Sequence, residues 1–129
     1  MSDTNGFIRE FRERVEELPS VRQVEFIGSI ATGNFVAGSS DLDVFVHGNR
    51  IPRQTKKQIR ALVRELNDKY EMGLERAPCQ HPTPFFIDTR ITRALYRLLK
   101  DRMELRWFRS MNKKIAPSYG FVWRLQLRR

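Results

Sequence analysis

The sequence predicts an α+β fold, with a mixed β-sheet of four or five strands flanked by helices. Helical and strand-like hydrophobic patterns alternate along the chain, which is typical of a sheet covered by helices. The length of 129 residues matches one domain, so residues 1–129 are expected to form a single unit. The sequence shows no leader-like segment, no long apolar run and only one cysteine. We therefore expect a cytoplasmic protein without membrane contact.

Three helices are predicted from apolar residues that recur at helical spacing. The first covers residues 6–18, with Thr4 and Asn5 as candidate capping residues. The second runs over about 54–69, and the third covers about 91–107. Each helix carries charged residues between its apolar positions, so each is expected to pack one face on the core.

Strands are predicted where short apolar or alternating stretches lie between turn residues. Residues 21–28 and 42–46 form the first two predicted strands, and 74–77 forms a third. The stretch PFFID, residues 84–88, is predicted as a fourth strand. The segment 119–127, YGFVWRLQL, is compatible with either a strand or a loop, which leaves the strand count at four or five.

The positive charge is concentrated near the end of the sequence. The net charge is +9. Residues 90–129 hold 12 Lys and Arg against two acidic residues, Asp101 and Glu104, whereas residues 1–89 are nearly neutral. This basic C-terminal helix and tail predicts an anionic partner, such as RNA or an acidic protein surface.

Two aspartates separated by one residue form a candidate metal site. Residues two apart in a strand project from the same face, so Asp41 and Asp43 would point to one place while Leu42, Val44 and Val46 face the core. Two close carboxylates repel unless a cation neutralises them, and oxygen ligands suit Mg²⁺ or Mn²⁺. The alternative is that Asp41 is a turn residue and Asp43 a solvated side chain at the end of the sheet.

A glycine-serine pair upstream forms a candidate phosphate-binding turn. Gly28 and Ser29 close a predicted strand, and a glycine there permits close approach of the backbone to a ligand. A second glycine, Gly33, follows, and Ser40 directly precedes the aspartate pair. We therefore predict Gly28, Ser29, Gly33 and Ser40 as nucleotide-binding residues.

The stretches FIGS and SDLDVFV resemble the signature of the nucleotidyltransferase superfamily that includes DNA polymerase β, the CCA-adding enzymes and the minimal nucleotidyltransferases. The spacing between the two stretches is most similar to that of archaeal CCA-adding enzymes. The resemblance implies helices packed on a short mixed sheet, two Mg²⁺ ions, and an NTP as substrate. It also implies transfer of NMP to a hydroxyl group, with pyrophosphate as the leaving group.

The same resemblance implies roles for particular residues. Asp41 and Asp43 would be catalytic metal ligands, and Asp88 would be the third carboxylate that completes the metal site. Glu75 is the alternative third carboxylate, because it lies at a separation usual in minimal nucleotidyltransferases. Family members commonly carry a basic residue where this chain has Thr32, so another basic group would bind the phosphates or activity would be weaker.

The predicted function is that of a minimal nucleotidyltransferase that modifies an RNA end, including tRNA, or a protein side chain. Minimal nucleotidyltransferases are often antitoxins of all-helical HEPN toxins, so the resemblance implies a toxin-antitoxin pair with such a partner. Association of the chain with itself is left open. The alternative function is a catalytically weak module of the same fold that binds nucleic acid or a partner protein through its basic C-terminus.

Overall fold

The computed structural model describes residues 3–77 and 83–99 of the chain. In chain order the elements are α1 (Thr4–Glu16), β1 (Val21–Phe26), α2 (Ser29–Thr32), β2 (Val44–Gly48), α3 (Arg53–Lys69), a 3₁₀ helix (Leu74–Arg76), β3 (Phe85–Ile87) and α4 (Arg90–Leu99). The predicted α+β class is confirmed.

The described strands form one mixed sheet in the order β1-β2-β3. β1 and β2 are antiparallel, with Phe26 opposite Val44. β2 and β3 are parallel, with Phe45 beside Phe85. The sheet has three strands within the described residues, fewer than the four or five that were predicted.

The main core lies between one face of this sheet and the helices α1 and α3. The face of the sheet contributes alternate residues of β1 and β2, as a period of two requires. Each helix contributes one apolar stripe, as a period of 3.6 requires. The fully buried members from these elements include Phe7, Phe11, Val15, Val24, Val44, Val46, Ile59, Val63 and Leu66.

The other face of the sheet carries a smaller apolar cluster. Phe45, Phe85 and Ile87 are buried there, and Tyr96 of α4 packs against them. The Tyr96 ring meets the Phe45 ring edge-on at a centroid distance of 5.5 Å. α4 therefore covers the face of the sheet opposite to α1 and α3.

The first helix begins two residues before the predicted start. Asp3 is its N-cap, and the Asp3 carboxylate accepts a hydrogen bond from the Gly6 backbone N–H at 2.9 Å. Thr4 and Asn5, the predicted caps, are the first residues inside the helix. The cap was misassigned because an aspartate one residue earlier reaches the same backbone groups.

The strand predicted at residues 74–77 is wrong, because most of this segment forms the 3₁₀ helix. The Asn67 side chain accepts a hydrogen bond from the Leu74 N–H at 2.9 Å, and Gly73 adopts a left-handed conformation with φ +67°. The Arg76 N–H then donates to the Gly73 carbonyl at 3.1 Å. These local hydrogen bonds replace the ladder that a strand would need.

The third predicted helix is confirmed over its first part, since α4 spans Arg90–Leu99. The rest of that prediction, to residue 107, lies outside the described residues. So do the stretch 119–127 and most of the basic tail. Within 3–77 and 83–99, no helix combines the length and apolar character needed to span a membrane.

Candidate active site

The end of β1 and the start of β2 meet at one end of the sheet. The Ile27 N–H donates to the Asp43 carbonyl at 3.0 Å, so the antiparallel pairing continues one residue past both strands. The chain then turns at Gly28 and returns through the Asp41–Asp43 segment. This pairing brings the predicted phosphate-binding turn at Gly28 next to the predicted metal-binding residues Asp41 and Asp43.

Gly28 packs directly against the carboxylate of Asp43. Its backbone has φ +70° and ψ −150°, a conformation that is essentially restricted to glycine. A Cβ atom at this position would lie 2.5 Å from Asp43 Oδ2, which is too close for any real contact. Only glycine therefore allows the turn and the carboxylate to occupy these positions.

Asp41 and Asp43 both lie just before β2, which begins at Val44. The predicted strand over 42–46 would have included Asp43. Leu42, between the two aspartates, is buried in the main core with Val44. This alternation directs Asp41 and Asp43 to the face of the sheet that carries Phe45. Asp43 is 7% exposed and Asp41 is partly exposed, so the site opens on the side of Asp41.

The short helix α2 follows Gly28 and ends at Gly33. Gly33 is its C-cap in a left-handed conformation with φ +80°, and the Asn34 N–H donates to the Ser29 carbonyl at 2.9 Å. Ser29 is the first residue of this helix, directly after the turn at Gly28. Gly28, Ser29 and Asp43 are thus brought together, whereas Gly33 lies at the far end of the helical turn.

Thr32 is held by local hydrogen bonds. Its hydroxyl lies 3.4 Å from the Gly28 carbonyl and 3.3 Å from the Ser29 carbonyl, and it accepts a hydrogen bond from the Asn34 amide at 3.1 Å. The position where the resemblance places a basic residue therefore carries an uncharged group that caps the helical turn.

Ser40 belongs to a turn that leads into the aspartate pair. Its hydroxyl accepts a hydrogen bond from the Val36 N–H at 2.9 Å. The Gly38 N–H donates to the Met72 carbonyl at 3.3 Å, which fastens this loop to the 3₁₀ region. Ser40 is thus next to the site in sequence, and its hydroxyl shapes the loop that enters the site.

Asp88 lies at the opposite end of the sheet from the aspartate pair, which corrects the prediction that it completes the site. β3 runs parallel to β2, and His47 is beside Ile87, so Asp88 follows at the level of Gly48. At about 3.3 Å per residue, five residues of strand separate that level from Asp43, a distance of about 16 Å. One metal ion cannot be shared across this separation.

The contacts of Asp88 give it a structural role. Its Oδ2 accepts a hydrogen bond from the Ile51 N–H at 3.0 Å and forms an ion pair with Lys56 Nζ at 3.0 Å. The Asp88 side chain is only 4% exposed, and Lys56 belongs to the first turn of α3. Asp88 thus ties the start of α3 to the end of β3.

Glu75, the alternative third carboxylate, forms hydrogen bonds with residues close to it in sequence. Its two carboxylate oxygens accept hydrogen bonds from the Asn67 amide at 2.9 Å and from Arg76 Nη1 at 3.3 Å. Within the described part of the chain, no three acidic, histidine or cysteine side chains cluster closely enough to hold a metal ion. Thr83, two residues before β3, contacts the aspartate segment, since its hydroxyl donates a hydrogen bond to the Leu42 carbonyl at 3.2 Å.

The donor set at this end of the sheet therefore consists of two carboxylates. Mg²⁺ commonly binds proteins through one or two carboxylates and completes its shell with water and substrate phosphates. Asp41 and Asp43 fit one such ion that arrives together with a triphosphate. The described residues do not supply the third carboxylate that a second protein-bound ion would use.

A polar cluster on the same face of the sheet was not predicted from the sequence. Glu25 Oε1 accepts a hydrogen bond from the Tyr96 hydroxyl at 2.6 Å and lies 3.0 Å from His47 Nε2. Burial, and next the hydrogen bond with Glu25, raise the pKa of Tyr96 to about 12. The alternation of β1 and β2 was the available signal, since it puts Glu25, Phe45 and His47 on one face.

Together, these features define a class of protein: an α+β chain with a glycine turn set against a carboxylate pair at the edge of a mixed sheet. The family model described as Nucleotidyltransferase domain matches residues 8–96. The chain therefore belongs to the nucleotidyltransferase domain family. The matched region contains most of α1, every element from β1 to β3 and most of α4, and thus the whole candidate site. Searches of curated proteins and of solved structures returned no match.

Proposed function

We propose that this nucleotidyltransferase-family chain transfers NMP from an NTP to a hydroxyl group on an RNA end or a protein side chain. The observation that carries the proposal is the contact between Gly28 and the Asp43 carboxylate at the end of the β1-β2 pair. This contact joins a turn that a triphosphate can approach closely to a pair of metal-binding carboxylates.

In this proposal each residue has a separate task. Asp41 and Asp43 hold Mg²⁺, or Mn²⁺, with the triphosphate, and the ion when bound offsets the negative charge that develops at the reacting phosphate. The backbone at Gly28 and the Ser29 hydroxyl orient the phosphates beside the carboxylates. Thr32 adds no positive charge, so this position would not supply the basic contact to the phosphates that the resemblance implies.

The second candidate function is a weakly catalytic module that binds nucleotide or a partner. Two observations favour it: the described residues provide no third carboxylate beside Asp41 and Asp43, and Thr32 stands at the basic position of the resemblance. Both features lower the expected stabilisation of the transition state more than they lower binding of Mg²⁺ with NTP. Binding without turnover would identify this function.

The proposal of a toxin-antitoxin pair is supported by the resemblance to minimal nucleotidyltransferases alone. In that case the acceptor would be a side-chain hydroxyl of an all-helical HEPN-type partner, and the chain itself would act in the cytoplasm. Co-expression with an all-helical protein from an adjacent gene tests this proposal. A stable complex, with NMP found on the partner by mass spectrometry, is the expected result, and an unmodified and unbound partner would exclude it.

The main experiment uses the full chain with each of the four NTPs, labelled at the α-phosphate, and Mg²⁺. RNA and candidate partner proteins serve as acceptors, and covalent transfer of the label is measured. Binding of each NTP is measured separately by calorimetry with and without Mg²⁺. We expect Mg²⁺-dependent binding and label transfer, both lost in the double variant Asp41→Asn/Asp43→Asn.

The matched control is Asp68→Asn, because Asp68 is an exposed aspartate near the end of α3. It should bind and transfer like the wild type. Transfer that persists in the double variant would contradict the proposed site. Binding without transfer to any acceptor would favour the module instead.

A further inference from the structure

A basic pocket lies at the carboxyl ends of β2 and β3, the end of the sheet opposite to the aspartate pair. It is open, with a volume of about 590 Å³, and Arg50, Arg90 and Arg93 line it together with Asn49 and Thr89. Both parallel strands end here, and the helices that follow them, α3 and α4, begin here. The sequence predicts the concentration of positive charge in residues 90–129, and this pocket adds Arg50 to it.

The arginine charges of this pocket have little acidic compensation. Among the described residues that line it, Asp88 is the only acidic one, and Lys56 already neutralises Asp88 through the 3.0 Å ion pair. Arg93 Nη1 donates to the Gly48 carbonyl at 3.2 Å, so its guanidinium is fixed at the pocket edge. Arg50 and Arg90 are exposed, and the Arg50 N–H is anchored on the Asp88 carbonyl at 2.9 Å.

The positive charge continues along α3. Between Val44 and Arg64 the chain has six Lys and Arg and no acidic residue. Four of the six recur at helical spacing and so share one side of the helix: Arg53, Lys57, Arg60 and Arg64. Burial, and after it the neighbouring charges of Arg53 and Arg64, lowers the pKa of Arg60 to about 10.

An aromatic ring lies beneath Arg60 of this basic row and beneath Lys56, which adjoins the row. Lys56 Nζ lies 5.1 Å and the Arg60 guanidinium 5.6 Å from the centroid of the Phe86 ring. Contacts of this kind hold cationic groups over apolar surface while their outer atoms remain available to solvent. The row is therefore a built surface that extends from the pocket along α3.

We propose that this surface binds the phosphate backbone of a nucleic acid, with one phosphate held in the pocket by Arg50, Arg90 and Arg93. Guanidinium groups match phosphate oxygens in geometry and charge, which favours arginine at such a site. A row of cations repeated along a helix suits the repeated charges of a nucleic-acid backbone. The inference does not depend on the proposed transfer reaction, because this surface lies at the other end of β2.

The test measures binding of a labelled single-stranded RNA to the full chain by fluorescence anisotropy over a range of salt concentrations. The double variant Arg50→Gln/Arg90→Gln should bind on the order of tenfold more weakly, and the slope of log K against log salt should fall by about 0.7, which is the contribution of the one phosphate held in the pocket when the ligand is a single strand. Glutamine keeps most of the side-chain length, and both positions are exposed, so the variant should fold.

The matched control is Arg9→Gln/Arg22→Gln, which removes two exposed arginines from α1 and β1. It changes the net charge equally and leaves residues 100–129 intact, so it should retain the wild-type salt slope. Equal losses in the two variants, or no loss in the first, would overturn the proposal. Displacement of the RNA by millimolar inorganic phosphate at constant ionic strength would instead assign the pocket to a free anion.

A further variant distinguishes the proposed nucleic-acid-binding surface from the proposed transfer site. Asp41→Asn/Asp43→Asn should bind the RNA with unchanged affinity, even though it loses binding of NTP with Mg²⁺. Loss of RNA binding in that variant would place the nucleic acid at the aspartate end and would contradict the proposed surface.

Discussion

The two ends of β2 place aspartates in contrasting surroundings. At the amino end, Asp41 and Asp43 are separated by one residue, and the carboxylate of Asp43 lies against Gly28, a residue without a side chain. At the carboxyl end, Asp88 is buried, accepts a backbone hydrogen bond and pairs with Lys56. The same type of residue is therefore arranged as a candidate ligand set at one end and as a structural tie at the other.

The difference shows that the groups around a carboxylate, rather than the residue type, determine whether it can bind a metal ion or stabilises the fold. A carboxylate neutralised by a lysine has little affinity left for a divalent cation, and its removal costs stability. Two adjacent carboxylates repel each other, and a cation relieves the repulsion. We therefore expect substitutions at the two ends to affect different measured quantities.

The largest effect expected is on nucleotide transfer by the Asp43→Asn variant. Removal of one carboxylate charge should lower kcat by about a hundredfold or more, because the ion that offsets charge in the transition state loses a ligand. Asp88→Asn should keep kcat within about threefold when rates are normalised to the folded fraction, since its contacts lie about 16 Å from Asp43. Initial rates of label transfer measure both.

Loss of nucleotide transfer in Asp88→Asn, with transfer retained in Asp43→Asn, would contradict this prediction. Circular dichroism at the assay temperature provides the control, because it gives the folded fraction of each variant. Such a reversal would mean that the site is organised around the carboxyl ends of the strands.

The second-largest effect expected is a loss of folding stability when Asp88 is replaced. Asp88→Ala removes the partner of Lys56 and leaves the Ile51 N–H without its acceptor, so the free energy of unfolding should fall by about 3 kcal/mol. The double variant Asp88→Ala/Lys56→Met should recover part of the loss, because no unpaired charge remains. Urea denaturation measures these values, and a recovery of zero would show that the ion pair contributes nothing.

The aspartate end could be predicted from the sequence because its signals are local. The burial of Leu42 and Val44 on one face of the sheet, with Asp43 and Phe45 directed to the other face, follows from the period of two. The antiparallel pairing of two consecutive strands then brings the end of the first strand next to the start of the second. Gly28 and Asp43 meet for this reason, although their contact distance could not be predicted.

The position of Asp88 could not be predicted in the same way, because a sequence does not state the direction in which two distant strands pair. An antiparallel β3 would have carried the end of PFFID toward Asp43. The observed parallel pairing carries it to the level of Gly48 instead. The basic surface was missed for a related reason, since Arg50 and Arg90 are 40 residues apart in sequence and meet only because their strands are parallel.

The third prediction compares two glycines of the aspartate end. Gly28→Ala should lower the free energy of unfolding by about 2–3 kcal/mol, because its φ and ψ are nearly inaccessible to alanine and the added Cβ would meet Asp43 Oδ2. Gly33→Ala should cost only about 1 kcal/mol, since its conformation is left-handed helical and no atom lies within 4 Å of the added Cβ. Thermal and urea unfolding measure both.

Only the first of these two variants should also weaken binding of NTP with Mg²⁺. The reason is that the Asp43 carboxylate must move to accommodate a methyl group at position 28. Equal effects of the two variants on binding and on stability would show that the contact between Gly28 and Asp43 has no special role.

The smallest effect expected concerns the face of the sheet between the two ends, where Tyr96 donates to Glu25. The pKa of Tyr96 is raised from 10.0 to about 12 in the folded chain, so its contribution to stability is present below pH 10 and is lost as the pH rises toward 12. Tyr96→Phe should therefore lower the free energy of unfolding by about 1 kcal/mol near pH 7, the usual worth of one such hydrogen bond. The difference between wild type and variant should shrink between pH 10 and 12, as measured by urea denaturation at each pH. A difference that stays constant over this interval would show that the pKa of Tyr96 is not raised in the folded chain, which would contradict the burial of its hydroxyl beside Glu25.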